Sequence, residues 1–450
     1  MTAGRLMAIL ASAGVVYLLV AYALGGPVML VRRLMVLARY RRLRYRPVQD
    51  DTLASSRFTI PLSVLLPTEG EPDAAEAVAH LLALNYPEFE VIVVNDGSLP
   101  ALAALRARFA LAACEVFYRR SLRASPVRAI YRSSAEPRLL VVDCEADTCG
   151  DALNCGLNLA RYRYVCCTDR RARYDRDALI ESMRAAVEDP ALVVGVMTVL
   201  GPHAETAGHA PAAPPPGFWP TLERLAALRS LLSLSGRRRL SLGVDGVPGL
   251  AIWRRDVLVD VGGFSGDSRS EHAELTFRMH RHLLRERRPY RIVHITEPVG
   301  VPAGEGALAE LVARQEESRQ AIGRILWRHR GVLLNPRYGP LGLFDLPRYA
   351  FSALVVPWLE LLCLAALPVS LAMGVLSPAQ VALTLLALGL GNGILLNTAL
   401  LLTPRDAYSG GALVRFVLMG PVQLFVHRPV QLAGRLQALV RALQRPAGAA

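Results

Sequence analysis

The chain has 450 residues, a formal net charge of +13 and 52% apolar residues, and its mean hydropathy is +0.30. This apolar content is high for a purely soluble protein. All 51 basic residues are arginine, and a basic balance suits the anionic cytosolic face of a membrane as well as nucleic acid. The hydrophobic segments favour the membrane, so we expect no nucleic-acid partner. The seven cysteines show no C-x-x-C spacing, which argues against a zinc or redox motif.

The N-terminal region predicts a membrane anchor. Residues 7–31 carry no charge, and about 20 apolar residues suffice to cross the hydrocarbon core. Arginines crowd the stretch that follows, which predicts a cytosolic flank by the positive-inside rule. We therefore predict a transmembrane helix over residues 1–31, a basic cytosolic linker over 32–59, and a multi-pass protein of the inner (plasma) membrane whose main domain is cytosolic.

Residues 60–345 read as one α/β domain. Short apolar runs predict strands at Pro61–Leu66, Val91–Val94, Leu139–Val142, Tyr164–Cys167 and Leu192–Val199. Their continuous apolarity is typical of strands in a parallel sheet that helices cover on both faces. A helix is predicted over Asp73–Leu84. Ligands of such sheets bind beyond the carboxyl ends of the strands, so the residues after each strand are the candidate site.

The C-terminal part predicts further membrane contact. Two apolar stretches separated by Ser377-Pro378 predict a transmembrane hairpin over residues 346–403. Residues 404–450 carry spaced arginines among apolar residues, and they predict a basic amphipathic or interfacial tail. Membrane lipid is therefore an expected partner.

Several segments together resemble a known family. They are LLALNYPEFEVIVVNDGS (residues 81–98), DALNCGLNLARYRYVCCTD (151–169), GLAIWRRDVLVDVGGF (249–264) and SEHAELTFRMHRH (270–282). In this order they resemble the family 2 glycosyltransferases, the GT-A-fold enzymes that include bacterial cellulose and hyaluronan synthases. The resemblance implies a GT-A fold, a nucleotide-sugar ligand and a role in cell-envelope polysaccharide synthesis.

The resemblance also implies roles for individual residues. Asp96 matches the aspartate that holds the nucleobase, and Asp169 matches the first carboxylate of the metal-binding DxD motif. Arg171 stands at the second DxD position, where it would repel the Mg²⁺ or Mn²⁺ that this family uses. Glu271 matches the glutamate of the catalytic ED motif, and His272 stands at the position of the base.

Two further motifs depart from the family pattern. Glu69 lies in the opening nucleotide-binding motif, where the family has a tyrosine. The family's Q-x-x-R-W motif cannot be read around residues 314–319 (RQEESR).

These departures leave two hypotheses open. In the first, the protein is a pseudoenzyme that binds nucleotide or acts as a scaffold beside a protein partner or in an oligomer. In the second, it is an active inverting transferase in which arginines at 170, 171 or 173 stabilise the leaving diphosphate and His272 is the base. The bland interpretation of His272, His280 and His282 is an exposed, basic helix surface.

Overall fold

The computed structural model describes most of residues 59–302 and shorter parts of the C-terminal third. The described ranges are 59–68, 74–169, 171–200, 248–265, 271–302, 328–339, 341–350, 367–374, 376–386 and 410–426, with single residues at 218, 221, 222, 225, 326, 351, 355 and 389. The chain divides into two units. We call residues 44–207 and 237–318 the sheet unit, and residues 1–43, 208–236 and 319–450 the apolar unit.

A mixed sheet organises the sheet unit. Its nine strands stand in the order β10-β8-β9-β6-β1-β2-β5-β4-β3, and a separate pair joins β7 to β11. The strands are β1 Leu62–Pro67, β2 Phe89–Asn95, β3 Leu111–Ala113, β4 Val127–Ser133, β5 Leu139–Cys144, β6 Tyr164–Cys167, β7 Ala172–Tyr174, β8 Val193–Val199, β9 Pro248–Arg254, β10 Arg291–Pro298 and β11 Gly300–Pro302.

The four central strands are parallel, and antiparallel strands flank them on both sides. β6, β1, β2 and β5 run parallel to their neighbours, whereas β4 and β9 run antiparallel to β5 and β6. Every residue of β1, β2 and β5 is buried, as expected for strands covered on both faces. The five predicted strands are confirmed within one or two residues at each end.

Helices connect and cover these strands. They are α1 Ala74–Leu82, α2 Leu99–Phe109, α3 Cys149–Leu159, α4 Ala178–Glu188, α5 Arg255–Asp260 and α6 Glu271–Arg285. α3 lies over β1, β2 and β5, and nine of its eleven residues are buried. The core on this side joins α3 to Leu65, Val94, Val142 and Trp253.

The apolar unit is described only in part. Its helices include α7 Leu346–Ala350 and α8 Gly410–Phe425, and α8 continues through Gly420 and Pro421. The described residues contain no helix that is both long and apolar enough to span a membrane. The predicted transmembrane helix and the RQEESR segment lie outside the described residues, as do Glu69 and Arg170.

The predicted break at Ser377-Pro378 coincides with a helix start. A helix over residues 378–386 follows Ser377, whose hydroxyl accepts a 3.3 Å hydrogen bond from the Gln380 N–H. The Gln380 side chain accepts a reciprocal 2.8 Å bond from the Ser377 N–H, which is the capping-box arrangement. Gly374, at φ +67°, lies in the turn before it.

Exposed apolar side chains concentrate in the apolar unit. Of the sixteen large apolar side chains that the described residues expose, thirteen lie within residues 333–418. Phe344 is 70% exposed, and Leu383 and Leu418 are 66% and 68% exposed. Exposed apolar side chains in such numbers are typical of surfaces that meet a protein or a membrane.

Candidate nucleotide-binding site

One edge of the sheet gathers the polar residues that the sequence singled out. β1, β2, β5 and β6 are parallel, so their carboxyl ends meet there; we call this the carboxyl edge. Asp96 follows β2 and Asp169 follows β6, on the two strands that flank β1. Neighbouring strands lie about 4.8 Å apart, which places these two positions about 10 Å from each other across the sheet.

A buried hydrogen-bond network supports Asp96. The Thr68 hydroxyl lies 3.3 Å from Asp96 Oδ1 and 3.3 Å from Asn95 Oδ1. Asn95 Nδ2 donates a 2.6 Å bond to Asp143 Oδ1 at the end of β5. Thr68 and Asn95 are fully buried and Asp143 is 8% exposed, whereas Asp96 is half-buried. The network therefore fixes the carboxylate of Asp96 at the surface of the carboxyl edge.

The turn after Asp96 is fixed by its own residues. Gly97 has φ +86°, a conformation that favours glycine. Ser98 then caps α2 by accepting a 3.5 Å bond from the Ala101 N–H. The guanidinium of Arg128, from the antiparallel strand β4, covers the turn: a Cβ at Gly97 would lie 2.9 Å from Arg128 Nη1. Arg128 is in turn held by Glu145 at 3.0 Å.

A second turn positions Asp169. The Thr168 hydroxyl donates a 2.9 Å bond to the Leu65 carbonyl, which ties the end of β6 to β1. The Asp169 N–H donates to the Tyr174 hydroxyl at 3.0 Å, and Asp169 Oδ1 accepts a 2.8 Å bond from the Arg171 N–H. Burial raises the pKa of the Tyr174 phenol, so this hydroxyl stays neutral. Arg171 stands where the DxD motif has its second carboxylate, and its backbone N–H orients the carboxylate of Asp169.

These residues do not fit a divalent cation. Mg²⁺ and Mn²⁺ prefer several oxygen ligands, but at the DxD motif the described residues offer the single carboxylate of Asp169. One of its oxygens already accepts the Arg171 N–H. Within the described ranges, no three His, Cys, Asp or Glu side chains are grouped to hold a metal ion. We therefore derive no step through a bound metal.

Arg173 is one of the three arginines that the sequence offered for the leaving diphosphate, and its side chain lies against α1. Its guanidinium forms an ion pair with Glu76 on α1. Of the other two arginines, Arg171 is described and follows Asp169 at the carboxyl edge.

His272 lies at the helix start where the sequence placed it, but its ring is not exposed. It is the second residue of α6 and packs edge-on against Phe264, with ring centroids 6.1 Å apart. Its Nδ1 is buried without a hydrogen-bond partner among the described residues. Burial lowers the pKa of His272 to about 4. The ring is therefore neutral at pH 7 and a weaker base than an ordinary histidine.

Glu271 is the first residue of α6, and its side chain lies outside the described residues.

The prediction of a basic, solvated histidine surface on α6 is wrong. His280 is 2% exposed, and its Nδ1 lies 2.6 Å from the Tyr290 hydroxyl. Burial, with a contribution from His294, lowers the pKa of His280 to about 3. A polar run in the sequence does not show which of its residues faces the core. Here His280, eight positions after His272, faces inward.

The chain matches the sequence profile of glycosyl transferase family 2 over residues 63–258. The chain carries a family 2 glycosyltransferase domain. The matched segment of this domain contains Asp96, Asp169 and Arg171, and it ends before Glu271 and His272. A comparison with curated protein sequences gives no significant match.

Solved structures show the fold of the family 2 domain. The mannosyltransferase PcManGT of Pyrobaculum calidifontis, solved with GDP-Man and Mn²⁺, is 19% identical with a TM-score of 0.52, and the alignment covers 93% of this chain and 99% of that one. TarS 1–349 of S. aureus is 15% identical, with a TM-score of 0.35 and coverage of 80% and 89%. Glucosyl-3-phosphoglycerate synthase of Mycobacterium tuberculosis is 16% identical, with a TM-score of 0.37 and coverage of 62% and 82%. The GT-A assignment rests on the first of these.

Sequence reasoning found Asp96 and Asp169 and missed their supports. Asn95 ends the strand that Asp96 follows, but Thr68, Asp143 and Arg128 come from other strands, and Thr68 and Asp143 lie 27 and 48 residues from Asn95 along the chain. The sequence could have indicated a role for Asn95, because it is the first residue of the Asn-Asp-Gly-Ser turn. No local pattern indicated that Arg128 would reach that turn from β4.

Proposed function

We propose that this protein is a membrane-embedded family 2 glycosyltransferase homologue that binds a nucleoside diphosphate or its sugar without efficient sugar transfer. Such a protein would act in cell-envelope polysaccharide synthesis as a nucleotide-binding or scaffolding partner of another membrane protein or of further copies of itself. The observation that carries the proposal is the contrast at one edge of the sheet: the Asp96 network is complete, while the DxD and base positions hold Arg171 and His272.

Nucleotide binding is supported by the geometry around Asp96. Its carboxylate accepts hydrogen bonds, so it can pair with the N–H groups of a nucleobase edge. Asp169 and Arg171 lie two strands away, about 10 Å across the sheet, where a diphosphate attached to that nucleoside would reach. A guanidinium pairs with phosphate oxygens in a bidentate manner, and Arg171 is the residue for that contact.

Impaired transfer is supported by the chemistry of the base position. An inverting transfer needs a group that removes the proton of the acceptor hydroxyl, and such a base works best with a pKa near the operating pH. The pKa of His272, lowered to about 4, makes it a weak base at neutral pH. The loss of a general base typically reduces the rate by about 10²- to 10⁴-fold.

Membrane embedding is supported by the exposed apolar side chains of residues 333–418 and by the uncharged stretch at 7–31. The arginine-rich flanks favour the cytosolic side for the family 2 domain. The inner membrane of a cell with an envelope polysaccharide is the location that this combination favours.

An active inverting transferase is the second candidate. One observation favours it: His272 Nδ1 is buried without a partner among the described residues, so an acceptor hydroxyl would satisfy it. This candidate predicts measurable transfer that depends on His272 and persists without metal.

The test is a titration of the full chain in detergent with UDP, GDP and their sugar forms. We expect saturable binding of at least one nucleotide, and Asp96→Ala to raise its Kd about 10- to 100-fold, because hydrogen bonds to charged groups contribute about 1.5–3 kcal/mol. Asp260→Ala is the matched control, since this carboxylate is half exposed at the end of α5.

The same preparations are then assayed for transfer of a labelled sugar to polysaccharide and lipid acceptors. Binding without transfer is the proposed result. Transfer that His272→Ala abolishes would establish the second candidate instead. If no nucleotide binds, or if Asp96→Ala binds like the wild type, the nucleotide role is wrong.

A further inference from the structure

A cleft of about 220 Å³ lies at the opposite edge of the sheet from the nucleotide site. Glu90 at the start of β2, Leu139 at the start of β5 and Arg161 after α3 line it. From Glu90 to Asp96 the chain advances six residues along a strand, which is about 20 Å at 3.3 Å per residue. The cleft is therefore separate from the carboxyl edge, and the proposed nucleotide cannot occupy both places.

Arginine dominates the lining of this cleft. We call it the arginine cleft, and its five arginines are Arg119, Arg132, Arg138, Arg161 and Arg255. Two of them have carboxylate partners: Arg138 pairs with Glu136 and Arg161 with Glu90, each at 2.8 Å. In the part of the chain that the structure describes, no carboxylate forms an ion pair with Arg119, Arg132 or Arg255. Three like charges thus face one small volume without a counter-ion.

Arg255 supplies the most specific observation. Its backbone is fixed at the first position of α5, where its N–H donates a 2.8 Å bond to the Arg163 carbonyl. Its Nε is buried and has no acceptor among the described residues. A buried donor without an acceptor is unfavourable, and an oxygen-rich ligand in the cleft would satisfy it.

The one carboxylate in the lining does not oppose an anion. Glu90 is 4% exposed and accepts hydrogen bonds from the Ser63 hydroxyl at 2.7 Å, the Arg161 N–H at 2.9 Å and Arg161 Nε at 2.8 Å. Its charge is compensated inside the fold, so the electrostatic balance of the cleft remains positive.

The loop that carries Arg119 is held in place by α3. Asn158 Oδ1 accepts bonds of 3.0 Å from the N–H groups of Ser121 and Leu122, and Asn158 Nδ2 donates to the Leu122 carbonyl at 3.1 Å. Asn158 is itself 5% exposed and lines the cleft. The position of Arg119 is thus built into the fold.

We propose that the arginine cleft binds a multiply charged phosphate group, either as free pyrophosphate or as the diphosphate of a nucleotide. Guanidinium groups match phosphate oxygens bidentately, and a group with two or more negative charges compensates the three unpaired arginines better than a monoanion. The domain would then have two phosphate-binding sites, the arginine cleft and the nucleotide site at the carboxyl edge, about 20 Å apart.

The test is calorimetric titration of the full chain in detergent with inorganic pyrophosphate and, separately, with UDP. All titrations use a background that carries Asp96→Ala and Arg171→Ala, which removes both the nucleobase contact and the diphosphate contact proposed for the carboxyl edge. Arg132→Gln and Arg255→Gln each remove one unpaired cation of the cleft. Arg108→Gln, an exposed arginine on α2 outside the cleft, is the matched control.

We expect saturable pyrophosphate binding, a Kd raised about tenfold or more by Arg132→Gln and by Arg255→Gln, and no change with Arg108→Gln. Equal sensitivity of UDP binding would identify the nucleotide as a source of the phosphate, and binding of pyrophosphate alone would identify the free anion. Absence of saturable binding, or equal weakening by all three arginine substitutions, would overturn the proposal. Thermal unfolding of each variant verifies that it folds, and Arg132, whose side chain is exposed at the end of β4, is the less disruptive of the two positions.

Discussion

At the scale of single residues, burial lowers the pKa of two histidines of α6, His272 and His280, and keeps them neutral at pH 7. His280 packs at 5.4 Å from the ring of Tyr290, and its neutral form makes the 2.6 Å bond to the Tyr290 hydroxyl. Protonation would place a charge in the core beside His294 without a carboxylate partner in the described contacts. The neutral state of His280 is therefore a condition for the folded state.

The pH dependence of stability follows from this. The pKa of His280 is about 3 in the folded state and about 6.5 in an unfolded chain, so between these values the unfolded chain binds more protons. The free energy of unfolding is expected to fall as the pH is lowered below about 6.5, by about 3 kcal/mol at pH 4 from this residue, at about 1.4 kcal/mol per pKa unit. Urea unfolding followed by tryptophan fluorescence measures it.

Two substitutions isolate the contribution of His280. His280→Phe keeps an aromatic ring without a titrating group, so its stability should depend less on pH between 4 and 6.5. Tyr290→Phe removes the hydrogen bond and leaves the histidine, so it should lose about 1 kcal/mol and keep the wild-type slope. Identical slopes in all three proteins would contradict the assignment.

At the scale of elements, α3 is joined to the loop before α6 by one side chain. Asn154, 6% exposed, donates to the Phe264 carbonyl and accepts from the Phe264 N–H, each at 2.8 Å. Gly263 lies directly against it, since a Cβ there would be 2.3 Å from Asn154 Oδ1. This contact positions Phe264, and through Phe264 the ring of His272.

Adjacent glycines provide a matched test of this contact. Gly263 has φ +73° and Gly262 has φ +88°, but a Cβ at Gly262 would meet only Arg278 Nη1 at 3.9 Å. Gly262→Ala should cost the backbone strain of about 1–2 kcal/mol, and Gly263→Ala should cost clearly more, because it also displaces Asn154. Urea unfolding measures both, and equal losses would show that Asn154 is not the constraint.

The elements also show how far sequence patterns carry the fold. β1, β2, β5, β6 and β8 are predictable because both of their faces are buried and their apolar runs are continuous. β4 is harder to predict because two exposed arginines, Arg128 and Arg132, interrupt the apolar residues of VRAIYRS without strict alternation. The helix over residues 74–82 is predictable from its apolar spacing, but its orientation against β7, set by the Glu76 and Arg173 pair, is not.

The same limit holds for the candidate site. Motif spacing locates Asp96, Asp169 and Arg171 because each follows a buried strand. It does not locate the buried Asn95 and Asp143 pair, since that 2.6 Å bond depends on β2 and β5 being neighbours in register. Nor does it show that the Nδ1 atom of His272 is buried, because Phe264, which packs against this ring, precedes α6 and is not part of the helix.

At the scale of the whole molecule, the chain combines a family 2 domain with a region of exposed apolar side chains. Lipid contact would give these side chains an apolar environment, and we expect the chain to behave as an integral membrane protein. After expression, it should remain in the membrane pellet through alkaline carbonate extraction and be released only by detergent. Release by carbonate alone would show that the chain is held at the surface and would contradict the predicted spans.

We propose that Arg171 takes the place of a metal ion in holding a nucleoside diphosphate at the carboxyl edge. The most direct measurement is the Kd of the preferred nucleotide for the full chain, with Mn²⁺ and with EDTA, for the wild type and for Arg171→Asp. We expect the same Kd for the wild type in both conditions and a Mn²⁺-dependent Kd for Arg171→Asp, in which the second carboxylate of the DxD motif is restored. A wild-type Kd that rises about tenfold or more in EDTA would contradict it and would show that a metal binds despite the arginine.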